Sequence, residues 1–275
     1  MKKAGFYCKS AAKFVLDNFP YLFAFAVVPA IFHALMRKDG TYFEFFLHLK
    51  RSGAEHLTFY DIYSNFSMIL SNRSWWAVLA LIGYWLGISG MAYQVEKIMR
   101  IGKRSYSGFL GGMNNNMLSA LVVGAIYLVS YELVCLVGSA LLIGLSALSR
   151  TGFAYVVAVI LILAMYVGLL FLATPFFVWL PCLFVNGYRF GEGFVETCYL
   201  LEGKTVSVAL AIGAGFLVQQ VVFLLCKVLF HSVFFPLKVV VYTLLMIYYV
   251  SLAYTVFFDL TGQERADLKK KYGEE

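Results

Sequence analysis

The sequence predicts an all-α polytopic membrane protein, with six transmembrane helices that form three tandem hairpins joined by interfacial elbow helices. Hydrophobic residues make up 61% of the 275 residues and charged residues only 13%, whereas soluble domains carry about 25% charged residues. Several apolar runs are long enough to cross a bilayer, which takes roughly 20 residues per helix. Two segments between these runs repeat one glycine-containing pattern. We expect a single membrane domain, residues 1–275.

Charge and cysteine content argue against other protein classes. The formal net charge is +7, but the basic residues stand beside apolar runs, where Lys and Arg set membrane orientation. The sequence lacks the basic and aromatic strand pattern of single-stranded nucleic-acid binders, so we expect no nucleic-acid partner. The five cysteines form no Cys-x-x-Cys pair. We expect them to be reduced, buried apolar side chains.

The first predicted span is followed by a long polar loop. The apolar run 14–36 exceeds the apolar region of a signal peptide, about 7–15 residues, so we expect a retained transmembrane helix. The loop 37–73 is polar and rich in aromatic residues. From Phe59 to Leu70 its apolar residues recur at spacings of three and four. This spacing predicts an amphipathic helix that lies on the outer membrane surface.

The remaining helices are predicted from apolar runs and their flanking residues. Trp75 opens the second helix, as interfacial tryptophans do. Pro181 lies near the end of the fourth helix, and Pro236 marks the turn into the sixth. The predicted spans are 14–36, 75–93, 117–148, 153–184, 206–230 and 237–258, followed by a charged tail at 259–275.

Two segments with the pattern Gly-x-Arg-x-x-x-Gly-Phe are predicted to be copies of one interfacial elbow. Glycine permits the left-handed end of a helix, arginine reaches lipid phosphates, and phenylalanine anchors the turn. Either the pattern is a stable interfacial turn and no more, or its arginines line a cytoplasmic vestibule or bind an anionic lipid headgroup. The elbow residues are Gly102, Arg104, Gly108 and Phe109 in the first copy and Gly187, Arg189, Gly193 and Phe194 in the second.

Each elbow is predicted to lead into a short interfacial helix. Phe109, Met113 and Met117 recur every four residues after the first elbow, and three asparagines then interrupt the pattern before the third span. The second elbow precedes a short amphipathic run. A Thr-Gly pair at Gly262 is interpreted as a third, truncated elbow.

Lys and Arg are concentrated in segments on one side of the predicted spans. These are the N-terminal segment, the two elbows and the C-terminal tail. Because short loops rich in Lys and Arg stay in the cytoplasm, we expect both termini there. The expected location is the cytoplasmic membrane of the cell.

The first elbow also resembles a known family. The run from Met99 through Gly102 and Gly108 to Leu118 resembles the YesL-like bacterial membrane proteins. It is similar, too, to the membrane domain fused to some glycerophosphoryl diester phosphodiesterases. The resemblance extends over about residues 80–210. The run Pro175-Phe-Phe-Val-Trp-Leu-Pro resembles the corresponding segment after the fourth helix of the family. The sequence departs from the family at the loop 37–73. It implies a bacterial six-helix membrane protein. The phosphodiesterase activity is not implied, because that catalytic domain is not in this sequence.

Polar residues inside predicted spans are candidates for function, because they are costly in lipid. Glu132 lies in the third span, and Gln219 and Gln220 lie at nearly equivalent depth in the fifth. We expect a hydrogen bond between Glu132 and one of these glutamines; the alternative is a proton or cation site. Lys227, further along the fifth span, is expected to reach the outer interface.

No motif for catalysis or cofactor binding is found in the sequence. Gly-x-Ser-x-Gly, His-Glu-x-x-His, a Walker sequence and a dinucleotide glycine pattern are all missing from it. The histidines fall on the predicted outer side, near acidic residues, but their spacing matches no metal signature. We therefore expect no enzyme, cofactor or metal. The four histidines are His33, His48, His56 and His231.

These observations favour a non-enzymatic integral membrane protein with an accessory, assembly or lipid-organising role. Its expected partners are anionic membrane lipids at the cytoplasmic elbows and another membrane protein. The alternative is a small transporter or channel that uses Glu132, Gln219 and Gln220 as its polar site.

Overall fold

A computed structural model describes residues 2–36, 58–69, 74–148, 152–229 and 234–269. Throughout these ranges the regular structure is helical, without strands. The helices in chain order are α1 Lys2–Met36, α2 Phe59–Phe66, α3 Ser74–Ile101, α4 Phe109–Leu148, α5 Gly152–Asn186, α6 Phe190–Leu201, α7 Thr205–Leu229, α8 Phe234–Thr261 and α9 Ala266–Lys269.

Six helices in the described part of the chain are long and apolar enough to span a membrane. They are α1, α3, α4, α5, α7 and α8, so the predicted all-α polytopic fold is confirmed and the chain is a multi-pass membrane protein. Each helix extends beyond at least one predicted end. The largest extension is in α1, which begins at Lys2.

Helix α1 packs at the centre of the bundle, against α8 and α3. Leu22 of α1, Met91 of α3 and Phe257 of α8 are fully buried in the shared core. Gly87 of α3 faces the backbone carbonyl of Phe25 so closely that a Cβ atom there would collide with it. Small residues let helices approach in this way, and the resulting dispersion contacts hold them together in lipid.

A second, smaller core lies between α4 and α5. Tyr131 and Cys135 of α4 and Ile162 of α5 are buried in it, and α2 adds Ile62 and Phe66. Helix α5 also contacts α7 and α8, so it joins the two parts of the bundle. The short helix α2 packs mainly against α4, and its Phe66 ring meets the Tyr166 ring of α5.

The interfacial helix predicted after the first elbow is not a separate element. Helix α4 continues from Phe109 through the three asparagines to Leu148 without a break. Asparagine costs only a fraction of a kcal/mol, about 0.7 at most, in a helix interior. Asn116 is buried, and the indole N–H of Trp85 donates to the Met117 carbonyl at 2.8 Å. After the second elbow a separate short helix, α6, does form.

Candidate functional site

Glu132, on α4, accepts three hydrogen bonds from the segment 58–69. The Tyr63 hydroxyl donates to Oε2 at 2.8 Å. The backbone N–H groups of Met68 and Ile69 donate to Oε1 at 2.8 and 3.2 Å. The carboxylate thus joins α4 to α2 and to the residues that follow it, all of them far from Glu132 in sequence.

Two neighbours of Glu132 on α4 hold the same end of α2. The Tyr131 hydroxyl donates to the Phe66 carbonyl at 2.8 Å, and the Cys135 thiol lies 3.7 Å from the same oxygen. Carbonyls in the last turn of a helix have no partner within the helix and need one elsewhere. We call the three side chains Tyr131, Glu132 and Cys135 the Glu132 anchor.

Helix α2 forms because its first turn is capped and its inner face is buried. Thr58 and Asp61 make a capping box: the Asp61 N–H donates to the Thr58 hydroxyl at 3.2 Å, and the Thr58 N–H donates to the Asp61 carboxylate at 3.0 Å. Ile62 and Phe66 are only 3% and 2% exposed. A helix this short is unstable alone in water, so α2 depends on these contacts and on the Glu132 anchor.

Tyr63 is held in its protonated, donating form. Burial raises the pKa of Tyr63 above its ordinary value, and the hydrogen bond to the Glu132 carboxylate raises it further. The neutral hydroxyl is the form that can donate to a carboxylate. The Tyr63 hydroxyl therefore stays a donor at pH values where free tyrosine begins to ionise.

The predicted hydrogen bond between Glu132 and a glutamine of α7 is wrong. Within the described ranges, all hydrogen bonds of Glu132 go to the segment 58–69. Helix α5 contacts both α4 and α7, and its Tyr166 ring lies 6.0 Å from the Phe66 ring and 5.9 Å from the Phe216 ring of α7. Equal depth in the bundle did not make the two positions neighbours.

The two glutamines lie inside α7, apart from the hydrogen bonds of Glu132. Gln219 is buried, at 8% exposure. The side-chain nitrogen of Gln220 is buried and has no hydrogen-bond partner in the described part of the chain. Lys227 also belongs to α7, but its side chain lies outside the described residues. The predicted polar site of Glu132 with the glutamines is therefore not assembled as one cluster of bonded groups.

Three glycines end helices in the same way. Gly102, Gly187 and Gly262 have φ values of 71°, 66° and 67°, in the left-handed region that favours glycine. The N–H of Gly102 donates to the Ile98 carbonyl at 3.0 Å, and that of Gly187 donates to the Leu183 carbonyl at 3.1 Å. Each closes the last turn of its helix, as a C-terminal glycine does.

The second glycine of the pattern differs between the two elbows. Gly108 has a φ of 73° and lies in the loop just before α4. Gly193 lies inside α6 and is buried, and a Cβ there would press on the Leu183 side chain. The two segments therefore share the helix-ending glycine and differ at the second glycine of the pattern.

Lys97 organises the first elbow, a role that the sequence analysis missed. Its ammonium group donates to the carbonyls of Ser105 and Ser107 at 3.1 and 2.6 Å. The Tyr93 hydroxyl also donates to the Ser107 carbonyl, at 3.3 Å. A lysine one turn before a helix-ending glycine was the available signal. Phe109, the first residue of α4, stacks on Phe25 of α1.

Trp179 organises the second elbow. Its indole N–H donates to the Phe190 carbonyl at 3.1 Å, and its ring meets the Phe194 ring at 5.1 Å between centroids. Trp179 belongs to the proline-bounded run that carries the family resemblance. The two elbows thus use different side chains, an ammonium and an indole, to bind the loop backbone. Both elbow arginines, Arg104 and Arg189, are exposed.

A second polar contact, also missed, fixes the C-terminal segment to the bundle. Arg265 binds both oxygens of Asp267, at 3.1 and 2.7 Å. The same guanidinium donates to the hydroxyls of Ser10 on α1 and Thr255 on α8, at 2.9 and 3.2 Å. We call these four residues the Arg265 latch. The charged tail gives no pattern from which this pairing could be predicted.

Of the four histidines, only His33 lies in the described part of the chain. His33 is partly buried between the Tyr84 and Tyr242 rings, with centroids 5.5 and 4.3 Å away. His48, His56 and His231 lie outside the described residues. Within the described ranges no group of three His, Cys, Asp or Glu side chains is close enough to hold a metal ion.

No protein-family model, curated protein or solved structure matches this chain. The resemblance to YesL-like proteins therefore stays a prediction.

The chemistry of the site rests on the geometry of Glu132. Its carboxylate is a hydrogen-bond acceptor for the segment 58–69, and a proton or cation bound there would compete with those donors.

Proposed function

We propose that this chain is a non-enzymatic integral membrane protein with an accessory role, which holds α2 at the membrane surface for contact with another membrane protein. The observation that carries the proposal is the set of three hydrogen bonds from the segment 58–69 to Glu132. On the distribution of Lys and Arg, we place both termini in the cytoplasm and α2 on the outer side of the cytoplasmic membrane.

The outward face of α2 supports a docking role. Phe59 and Tyr60 are 40% and 52% exposed, whereas Ile62 and Phe66 face the bundle. Aromatic side chains contribute most to protein interfaces when a partner covers them. A capped helix with one buried face presents these rings in a fixed orientation. Such pre-organisation lowers the entropy lost on binding.

The partners of Glu132 favour this role over transport. A transport carboxylate must release and take up its proton or ion during each cycle. Hydrogen bonds to charged groups contribute about 1.5–3 kcal/mol in soluble proteins, and interhelical ones in membranes average about 0.6 kcal/mol. A proton or cation on Glu132 would weaken these bonds, because a protonated carboxyl keeps only part of its acceptor capacity, and would loosen the segment 58–69. We infer that its main task is to hold this segment.

A photo-crosslinking side chain at Tyr60, in the protein's own membrane, tests the proposal. We expect one polypeptide to be captured at fixed stoichiometry and to be lost when Glu132→Leu frees α2. The matched control places the crosslinker at Leu163, an exposed position of α5, where lipid should be captured instead. If Tyr60 captures no protein, and purified protein conducts protons in a manner abolished by Glu132→Gln, the transporter reading replaces this one.

A further inference from the structure

We propose that the first elbow, through Lys103 and Arg104, binds the headgroup of an anionic phospholipid, and that the second elbow, which contains Arg189, does not. The inference does not depend on the proposed function, because the elbow lies at the opposite end of α3 from the segment 58–69. It sharpens the expectation that both elbow arginines contact lipid. Charge, geometry and the surrounding apolar surface each support it.

The first elbow carries two cations, Lys103 and Arg104, that have no acidic partner among the described residues. Lys103 and Arg104 are exposed, and neither makes a hydrogen bond or ion pair with another described residue. Arg100, one turn earlier, is also exposed, although it pairs with Glu96 at 3.1 Å. Glu96 is the only acidic residue in the sequence between 94 and 116. Within residues 94–116, four basic side chains stand against this single carboxylate, so a phosphate group here would meet net positive charge from the elbow segment.

The elbow backbone is fixed before any ligand arrives. The Lys97 ammonium group donates to the Ser105 and Ser107 carbonyls. It therefore holds the loop backbone and, unlike Lys103 and Arg104, is already engaged within the elbow. The Tyr106 hydroxyl donates to the Tyr21 carbonyl of α1 at 3.3 Å, which ties the loop to a second helix. Lys103 and Arg104 are therefore presented on a held loop, and less entropy is lost on binding.

The surroundings of these cations suit a lipid and not a free phosphate. Ile101 and Leu110, on either side of the loop, are 56% and 73% exposed. Each stands at the end of a candidate membrane span, α3 or α4. Acyl chains would cover these side chains, while Lys103 and Arg104 extend to the phosphate, as basic residues at the ends of membrane helices do.

The second elbow has the opposite balance of charge. Arg189 is exposed like Arg104, but Glu192 follows it on α6 and is exposed as well. The segment 187–205 holds three acidic residues against two basic ones. An anionic headgroup beside Arg189 would also meet the Glu192 carboxylate in the first turn of α6. The shared arginine of the pattern is therefore not enough to make a lipid site.

Native mass spectrometry of the full chain tests this with two lipids of identical acyl chains, phosphatidylglycerol and phosphatidylethanolamine. We expect wild type to prefer phosphatidylglycerol. Lys103→Gln with Arg104→Gln should weaken phosphatidylglycerol binding by about fivefold for each charge removed and leave phosphatidylethanolamine binding unchanged. Arg104→Lys, which keeps the charge, should retain most of the preference. The matched control, Arg189→Gln, should behave as wild type.

Several results would overturn the inference. Equal binding of the two lipids by wild type would remove the site. Unchanged phosphatidylglycerol binding in the double variant, or an equal loss in Arg189→Gln, would remove the difference between the elbows. Soluble glycerol phosphate provides the last arm: if it displaces phosphatidylglycerol at equal concentration, the site binds a free phosphate ester and the lipid assignment is wrong.

Discussion

The Glu132 anchor and the Arg265 latch both fix a short segment to the helix bundle with a charged side chain, but they neutralise that charge differently. Arg265 faces the Asp267 carboxylate, and its remaining donors bind Ser10 and Thr255. Glu132 has no cationic partner among the described residues, and its partners are a hydroxyl and two backbone N–H groups. A charge held by a counter-ion is expected to be the more rigid of the two.

This difference indicates different tasks. The latch ties together the N-terminal turns of α1, the end of α8 and the C-terminal segment, so it contributes to the stability of the whole bundle. The anchor holds only the segment 58–69 and can open without disturbing the main core. Local opening of this kind has a lower free energy than global unfolding. We therefore expect the two sites to respond to mutation in different measurements.

The largest effect is expected from Arg265→Met. The Arg265 and Asp267 side chains are only 8% and 15% exposed, and removing one partner of a buried ion pair costs about 3–5 kcal/mol. The matched control is Lys3→Met, which breaks the exposed ion pair with Asp259 and should cost less than about 1 kcal/mol. Denaturant unfolding in detergent measures both. If both variants lose the same free energy of unfolding, the Arg265 latch is no stronger than a surface ion pair.

A smaller effect is expected from Tyr63→Phe, which removes one of the three hydrogen bonds to Glu132. The loss should be about 0.6 kcal/mol, measured as local opening of the segment 58–69 and not as global unfolding. Loss of global stability without any change in local opening would contradict the separation of anchor and latch.

The same residue predicts a dependence on pH. The pKa of Tyr63 is raised when the segment 58–69 is docked on α4. The stabilisation of the docked segment by the Tyr63–Glu132 hydrogen bond is therefore fully present below the pKa of free tyrosine, about 10. It is lost as pH rises through the raised pKa of the docked state. The tyrosinate absorbance of wild type, minus that of Tyr63→Phe, should therefore rise at a higher pH than free tyrosine. A midpoint at or below the free value would contradict the bond to Glu132.

The sequence predicted what depends on composition and local backbone. Six spans follow from the apolar runs, and Gly102 and Gly187 follow from the need for a left-handed residue where a helix ends. The amphipathic spacing after Phe59 predicted α2. These features depend on neighbours in sequence, so pattern alone was enough to find them.

The partners of charged groups could not be predicted in the same way. Position along a span gives depth, but the direction in which a side chain points depends on which helices are adjacent. Glu132 and Gln219 lie at similar depth, yet α5 contacts both of their helices and the segment 58–69 supplies the donors to Glu132. Lys97 and Arg265 meet their partners only after the elbow and the C-terminal segment have folded back on the bundle.

Hydrogen–deuterium exchange of the segment 58–69 tests the central claim, that Glu132 holds this segment, most directly. The Met68 N–H is the sharpest probe, because Glu132 is its only acceptor among the described residues. In Glu132→Leu we predict that the Met68 amide loses its protection while α1 and α8 keep theirs. In the control Ser130→Ala, which removes a hydrogen bond within α4, protection should persist. Unchanged Met68 protection in Glu132→Leu would contradict the account.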